Sequence, residues 1–391
     1  MNEKAIVERE SAELAERFTR LYGGAPLLVR APGRVNLIGE HTDYNEGFVF
    51  PVAIGFQTRI AIVNRADRLL VVTSENYAER VEYDLDTLPK VPRGHWSDYV
   101  VGVVQLLQTR IGSVPGASLL LNGDVPQGAG LSSSASLEVA VCKAFLEVSG
   151  RQLDPVIVAQ LCQQAENDFI GARCGIMDQF ISVNGKKDHA LRLDCRTLEY
   201  RLLPIPPDTR LVICNTMVRH NHADGEYNER RAECETAARF FAERVPGVKT
   251  LRDVTMEDYE KWGGELPELI RKRCHHILSE NVRVLQAAEA LQAHNLQLFG
   301  RLMASSHASL RDDFEVSCKE LDLMVQLAER KEGVYGARMT GGGFGGCVIT
   351  LVQENHVEQF KQSVREEYRR ETGRDPEIYV SSAADGASRL A

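Results

Sequence analysis

Residues 122–136 read Asn-Gly-Asp-Val-Pro-Gln-Gly-Ala-Gly-Leu-Ser-Ser-Ser-Ala-Ser. They leave a leucine-rich strand at 117–121, turn through Pro126, Gly128 and Gly130, and enter an apolar helix at 132–148. Glycines let a backbone approach a ligand closely, and the first-turn amides of a helix have no partners of their own. The helix dipole adds to them, so the segment suits an anion. It contains no Lys or Arg, so amides and a cation must neutralise that anion. No Gly-Lys-Ser/Thr follows the glycines, which excludes a Walker A loop. A tight strand-to-helix turn with serine caps fits the same residues and stays open on pattern alone.

Two further segments stand out. Met339-Thr340-Gly341-Gly342-Gly343-Phe344-Gly345-Gly346-Cys347 suits a loop packed on another backbone or a ligand. Its formal Gly-x-Gly-x-x-Gly match is no dinucleotide fingerprint, because a strand follows it. A bulged hairpin loop is the other reading. Residues 30–50 hold Arg34, Glu40, His41 and Asp43 between two apolar strands. Carboxylates and imidazole so close together can meet several sugar hydroxyls, which both donate and accept. A solvated polar turn would have the same composition.

Composition bounds the rest. The chain has 391 residues, 43% hydrophobic and 26% charged, with net charge −9. That length suggests two or three domains with a sizeable core. An acidic chain is a poor non-specific nucleic-acid binder. No apolar run approaches the ~18 residues of a spanning helix, so no membrane contact is expected. The start is charged and helical rather than a secretory signal. Nine cysteines stand singly, with no Cys-x-x-Cys pair, which predicts reduced thiols in a cytoplasmic protein.

The hydrophobic spacing predicts helices at 3–22, 99–107, 155–169, 226–244, 276–294, 297–309, 317–330 and 357–370. Strands are predicted at 26–31, 48–54, 57–64, 69–74, 180–184, 190–193, 211–214, 348–352 and 377–381, the early ones antiparallel. Three prolines within Leu203-Pro204-Ile205-Pro206-Pro207-Asp208 mark a linker. Strands and helices are grouped rather than alternating, which indicates two α+β domains, 1–205 and 206–391. The last residues, from 381 on, read as a loose tail. His275 and His276 read as polar residues at a helix end, Glu229, Arg230 and Arg231 as a solvated helix face, and Cys174 and Cys347 as packing thiols. His220 and His222 could rim a pocket or sit in a solvated loop.

Together these segments resemble the galactokinases, a branch of the GHMP small-molecule kinases. Gly33-Arg34-Val35-Asn36-Leu37-Ile38-Gly39-Glu40-His41-Thr42-Asp43-Tyr44-Asn45 matches the branch's own signature, residues 124–136 the superfamily's phosphate motif, and residues 339–347 its third motif. Cys174-Gly175-Ile176-Met177-Asp178-Gln179-Phe180 and Glu226-Tyr227-Asn228-Glu229-Arg230-Arg231 match as well, so the resemblance spans roughly 15–385. It implies a mixed α/β N-terminal domain of the ribosomal-protein type, a ferredoxin-like C-terminal domain, and an active site in the cleft between them. It implies ATP-dependent phosphorylation of the anomeric hydroxyl of α-D-galactose by a monomer. Asp178 takes the catalytic carboxylate's place and Arg34 that of the arginine beside it. Glu40, His41, Asp43, Gly175, Asp178 and Tyr227 fall where the family meets the sugar. Gly128, Gly130, Leu131, Ser132, Ser133, Ser134, Ala135, Ser136 and Trp96 fall where it meets ATP, and Ser134 and Glu166 where it holds magnesium. The stretch His222-Ala223-Asp224-Gly225-Glu226 departs from the family, where a Ser more often precedes the Glu-Tyr pair. The competing expectations are a related kinase for N-acetylgalactosamine or galacturonate, and a non-catalytic galactose sensor. An intact serine motif and Asp178 speak against the sensor.

Overall fold

The computed structural model describes residues 3–218 and 223–390. The first half runs α1 (Glu3–Tyr22), β1 (Leu27–Asn36), β2 (Phe48–Val49), β3 (Pro51–Asn64), β4 (Leu69–Ser74), β5 (Glu79–Asp84), α2 (Asp98–Ile111) and β6 (Ala117–Gly123). It continues with α3 (Ser133–Val148), α4 (Pro155–Gln164), α5 (Met177–Asn184), β7 (His189–Asp194) and β8 (Tyr200–Pro204). The second half runs β9 (Thr209–Asn215), α6 (Ala223–Ala242), α7 (Met256–Trp262), α8 (Glu268–Gln292), α9 (Leu296–Asp312) and α10 (Lys319–Glu329). It ends with β10 (Val334–Thr340), β11 (Cys347–Gln353), α11 (Val357–Thr372), β12 (Glu377–Ser381) and β13 (Ser388–Arg389).

Six strands form the first sheet, in the order β13-β1-β3-β6-β4-β5. Strand alternation splits its apolar residues between two layers. Ile60 and Ile62 of β3 pack with Val100, Val104 and Phe145 of α2 and α3, while Ala61 packs under Leu14 and Phe18 of α1. β7 and β8 form a small sheet with β2. The second large sheet, β10-β11-β9-β12, is antiparallel throughout. Its strands and helices follow the β-α-β-β-α-β order of a ferredoxin-like unit, as expected. The two halves share one apolar cluster, in which Val35, Phe50 and Ile54 meet Ile213, Val284, Phe299 and Ile349. The connection between β8 and β9 lies at the proline-rich stretch.

Four expectations differ from what the chain does. Residues 180–184 are the last part of helix α5, not a strand. Phe180 and Ile181 are both fully buried there, and a short apolar run does not distinguish helix from strand. The helix begun at Pro155 widens into a π turn at Ala165–Ile170 and stops at Gly171, whose φ is +86°. The early strands are antiparallel except β4, which runs parallel to β6, and the two strands expected at 48–64 are mainly one long strand, β3. The tail is not loose. Ala384 N donates to Ala53 O at 2.9 Å, Ala387 N to Ser182 O at 2.8 Å, and β13 pairs with β1. These are backbone bonds, which small residues make without any side-chain pattern.

One packing contact sets how closely the second half closes. A Cβ on Gly300 of α9 would lie 1.6 Å from the Tyr335 carbonyl oxygen of β10. Gly300→Ala is therefore expected to lower stability by about 1–3 kcal/mol through forced separation of helix and strand. Urea unfolding measures it, and an unchanged midpoint would mean that α9 and β10 separate freely.

Candidate active site

Three loops meet between the two halves. The end of β1 approaches the loop before α3 so closely that a Cβ on Gly33 would sit 2.7 Å from the Leu131 carbonyl oxygen. Arg34 N donates to that same oxygen at 3.1 Å. The glycine loop between β10 and β11 closes from the other side. Gly341, at φ +89°, leaves 3.0 Å between an added Cβ and the Gly130 carbonyl oxygen. The 339–347 loop thus packs on the backbone of the 122–136 loop, one of the two readings its glycines allowed.

Asp178 stands in the first turn of α5 at this junction. Arg34 grips it with two parallel bonds, Nε to Oδ1 and Nη2 to Oδ2, both at 2.7 Å. Such a fork is the strong, directional form of an ion pair. Arg34 Nη1 reaches the Gly130 carbonyl at 2.5 Å, and the Ser132 hydroxyl also donates to Asp178. Ser132 holds φ +58°, an uncommon conformation for a residue with a side chain. Arg34 is 7% exposed and Asp178 27%, so the carboxylate faces the opening while the guanidinium lies behind it.

The signature loop supplies the next wall. Asp43 lies over Gly175, where an added Cβ would fall 1.9 Å from Asp43 Oδ2. Burial first, and the Asp178 charge second, push the Asp43 carboxyl up to about 6. His41, at φ +64°, packs on Tyr227 and Phe314, with ring centroids 5.5 and 4.7 Å away. Its Nδ1 meets the Tyr44 hydroxyl at 2.9 Å, while Nε2 is buried without a hydrogen bond. Burial, then the nearby His276, push His41 down to about 3, so the ring is neutral. Glu40 is turned inward: Oε1 accepts from Gly341 N at 2.7 Å and Oε2 from Arg338 Nη1 at 3.0 Å.

On the other side of Asp178, the π turn carries Glu166 into the protein, where Ser134 hydrogen-bonds its carboxylate. Glu166 Oε2 also accepts from Gln179 Nε2 at 2.6 Å and from the Cys174 thiol at 3.3 Å. Burial and then the Asp178 charge raise the Glu166 carboxyl. Nearby Glu138 is raised further, by burial and by Glu166. Beyond Ser134 opens a cavity of about 250 Å³, lined in part by Gly128, Ser133, Ser134, Trp96, Tyr77 and Asn76. Tyr77 and Trp96 stack with centroids 5.4 Å apart and planes 6° from parallel.

The structure therefore gathers Asp178, Arg34, Asp43, Gly175, His41 and Tyr227 at one mouth, and Gly128, Ser133, Ser134 and Trp96 at the neighbouring cavity. Leu131, Ala135 and Ser136 have buried side chains. Ser136 Oγ instead donates to Ala31 O at 2.8 Å and accepts from Thr58 N at 3.1 Å, tying α3 to the sheet. His220 and His222 lie outside the described residues. His276 is no helix-end residue: it is buried within α8, and its Nε2 lies 3.2 Å from the Glu40 carbonyl oxygen. Of the expected solvated face only Glu229 is well exposed. Arg230 donates to the Phe314 carbonyl at 2.9 Å, and Arg231 lies over the Tyr44 ring. Cys174 and Cys347 are free thiols, as are the other seven cysteines, and burial raises both. Sequence reasoning missed Arg338, His276, Gln179 and Tyr77. Only Tyr77 and Gln179 carried any signal, as an aromatic near Trp96 and a neighbour of Asp178.

Comparison with known proteins follows these contours. Residues 16–63 match the family description of a galactokinase galactose-binding signature, 98–186 that of the GHMP kinase N-terminal domain, and 287–370 that of the GHMP kinase C-terminal domain. A galactokinase of a Roseiflexus strain is 46% identical over 382 residues, covering 97% of each chain. The crystal structure of Lactococcus lactis galactokinase complexed with galactose superposes with a TM-score of 0.93 at 37% identity, over 97% of this chain and 99% of that one. Methanococcus jannaschii mevalonate kinase shares the fold, with a TM-score of 0.65 at 19% identity over 93% and 99% of the two chains.

Asp43 generates a pH prediction. Its pKa in the folded protein lies above the ordinary value, so the folded state binds the extra proton between about pH 4 and 6. Stability is then lost as pH rises through that window. Above it the fold carries an ionised Asp43 at a cost of about 1–3 kcal/mol. Asp43→Asn should leave stability near pH 4 unchanged and raise it at pH 8. Urea midpoints at both values test this; equal effects at both would mean that Asp43 is unstrained.

Proposed function

This chain belongs to the galactokinase family of the GHMP kinases, and from that premise we propose that it transfers the γ-phosphoryl group of ATP to the anomeric hydroxyl of α-D-galactose. The product is galactose 1-phosphate, the entry to galactose catabolism by the Leloir route. The observation that carries this reading is the Asp178 carboxylate, gripped by Arg34 and Ser132 where the signature loop meets the phosphate loop. Phosphoryl transfer needs positioning and charge neutralisation more than covalent chemistry. Asp178 receives the proton of the sugar hydroxyl or orients that hydroxyl, and Arg34 keeps the carboxylate in place. Asp43, held over Gly175, accepts from sugar hydroxyls. Neutral His41, with its free Nε2, and Tyr227 form the adjoining wall, and Glu40 shapes that wall from behind. The unpaired amides at the N-terminus of α3, with Gly128 and Gly130, take the phosphates. The cavity lined by Tyr77 and Trp96 takes the adenine.

Ser134 and Glu166 offer a hydroxyl and a carboxylate, hard oxygen donors of the kind magnesium prefers alongside phosphate oxygens and water. Both lie beside the phosphate loop, and the loop has no lysine of its own. A bound magnesium ion would supply the neutralising charge that the loop lacks. No helix among the described residues is long and apolar enough to cross a membrane. With nine free cysteines, we place the enzyme in the reducing cytoplasm.

An ADP-release assay with Mg-ATP and galactose, N-acetylgalactosamine, galacturonate or glucose tests the reading. Turnover is expected on galactose, and Asp178→Asn should lose about 10²–10⁴-fold in kcat. Turnover on a different sugar alone would reassign the substrate; galactose binding without turnover would mean a sensor. Tyr77→Ala and Trp96→Ala should each weaken ATP binding by about 1–3 kcal/mol, the range for stacking on a base. Calorimetry should show galactose affinity unaffected; equal losses for both ligands would move the adenine site elsewhere.

A further inference from the structure

Two adjacent residues of α5 face different partners. Asp178 meets Arg34 and Ser132, while Gln179 meets carboxylates of two other elements. Gln179 is wholly buried, and its amide nitrogen splits two hydrogens between Glu138 Oε2 at 3.0 Å and Glu166 Oε2 at 2.6 Å. Glu138, also wholly buried, makes no other hydrogen bond through Oε1, and Gln179 Oε1 is likewise unpartnered. Buried polar atoms left unpaired cost free energy, so an arrangement that tolerates two of them calls for a reason beyond packing.

We propose that Gln179 is a positioning residue for Glu166, and that Glu138 is the anchor that holds Gln179 in place. The inference rests on the reading of Ser134 and Glu166 as holders of a divalent cation. Gln179 and the Cys174 thiol donate to the same oxygen, Glu166 Oε2, from two directions, which fixes the plane of the carboxylate. A cation ligand needs such support, because a carboxylate free to rotate binds a small, geometrically strict ion weakly. Since Gln179 follows Asp178 on one short helix, α5 sets the cation carboxylate and the carboxylate at the sugar hydroxyl as one rigid piece.

Manganese serves as the probe, titrated by electron paramagnetic resonance into the full chain with a non-hydrolysable ATP analogue. Gln179→Met keeps length and volume but has no donor, and should weaken manganese binding by about 10–100-fold. Galactose affinity by calorimetry should stay native. Glu138→Leu should reproduce the Gln179→Met effect, whereas Glu138→Gln, which keeps an acceptor for Gln179, should bind manganese as the native enzyme does. Native manganese affinity in Gln179→Met would overturn the proposal, as would a matching loss of galactose affinity that marks general disorder. Glu166→Gln separates the two levels. If it loses manganese while Gln179→Met does not, only the positioning role falls. If it keeps manganese, the assignment of the cation site falls, and the role of Gln179 with it.

Discussion

The ion pair between Glu40 and Arg338 joins the two halves at the floor of the site. Arg338 lies on β10 in the second sheet and Glu40 in the loop after β1, and their side chains are 0% and 2% exposed. Arg338 Nη1 also reaches the Asn36 carbonyl at 3.1 Å, and Gly341 N closes on the other Glu40 oxygen. Asn36 N meets the Thr340 hydroxyl at 3.0 Å alongside. Desolvating two charges is expensive, and a buried pair is weak evidence for added stability. Its physical consequence is geometric. With both partners buried, neither can be withdrawn without stranding the other, so the signature loop and the third glycine loop are held in one register. Asp43, His41 and the phosphate loop take their places from that register.

Above this pair, among the described residues, Asp43, Asp178, Glu138 and Glu166 crowd one region, and Arg34 pairs with Asp178 there. Burial and mutual repulsion raise Asp43, Glu138 and Glu166. A stable core would not collect such groups; the proposed site for a polyhydroxyl ligand and a metal-bound polyphosphate has use for each of them. The fold can carry the strain because the interface beneath it is apolar and shared by both halves.

The motifs were legible in the sequence because each is a local backbone device. Gly33 is present because the Leu131 carbonyl leaves no room for a Cβ, and Gly341 because its φ of +89° and a close Gly130 carbonyl disfavour one, demands written in consecutive residues. Asp43, Asp178, Glu166 and Arg34 could be assigned because the family resemblance covers them residue by residue, whereas Glu138 carried no such match. Arg338 and His276 were not legible: both reach the site by tertiary packing from elements whose own pattern is ordinary. The helix at α5 was misread because its burial on both sides erases the periodicity that separates helix from strand. The ordered tail was missed because backbone hydrogen bonds leave no trace in side-chain pattern.

The proposed transfer requires the sugar's anomeric hydroxyl to meet Asp178 while the phosphates sit at the N-terminus of α3. A crystal structure with galactose, magnesium and a non-hydrolysable ATP analogue tests it directly. The anomeric oxygen is expected within about 2.6–3.2 Å of an Asp178 oxygen, with the terminal phosphate facing it from the serine loop. A sugar bound away from Asp178, or a nucleotide bound away from the Tyr77–Trp96 cavity, would contradict it.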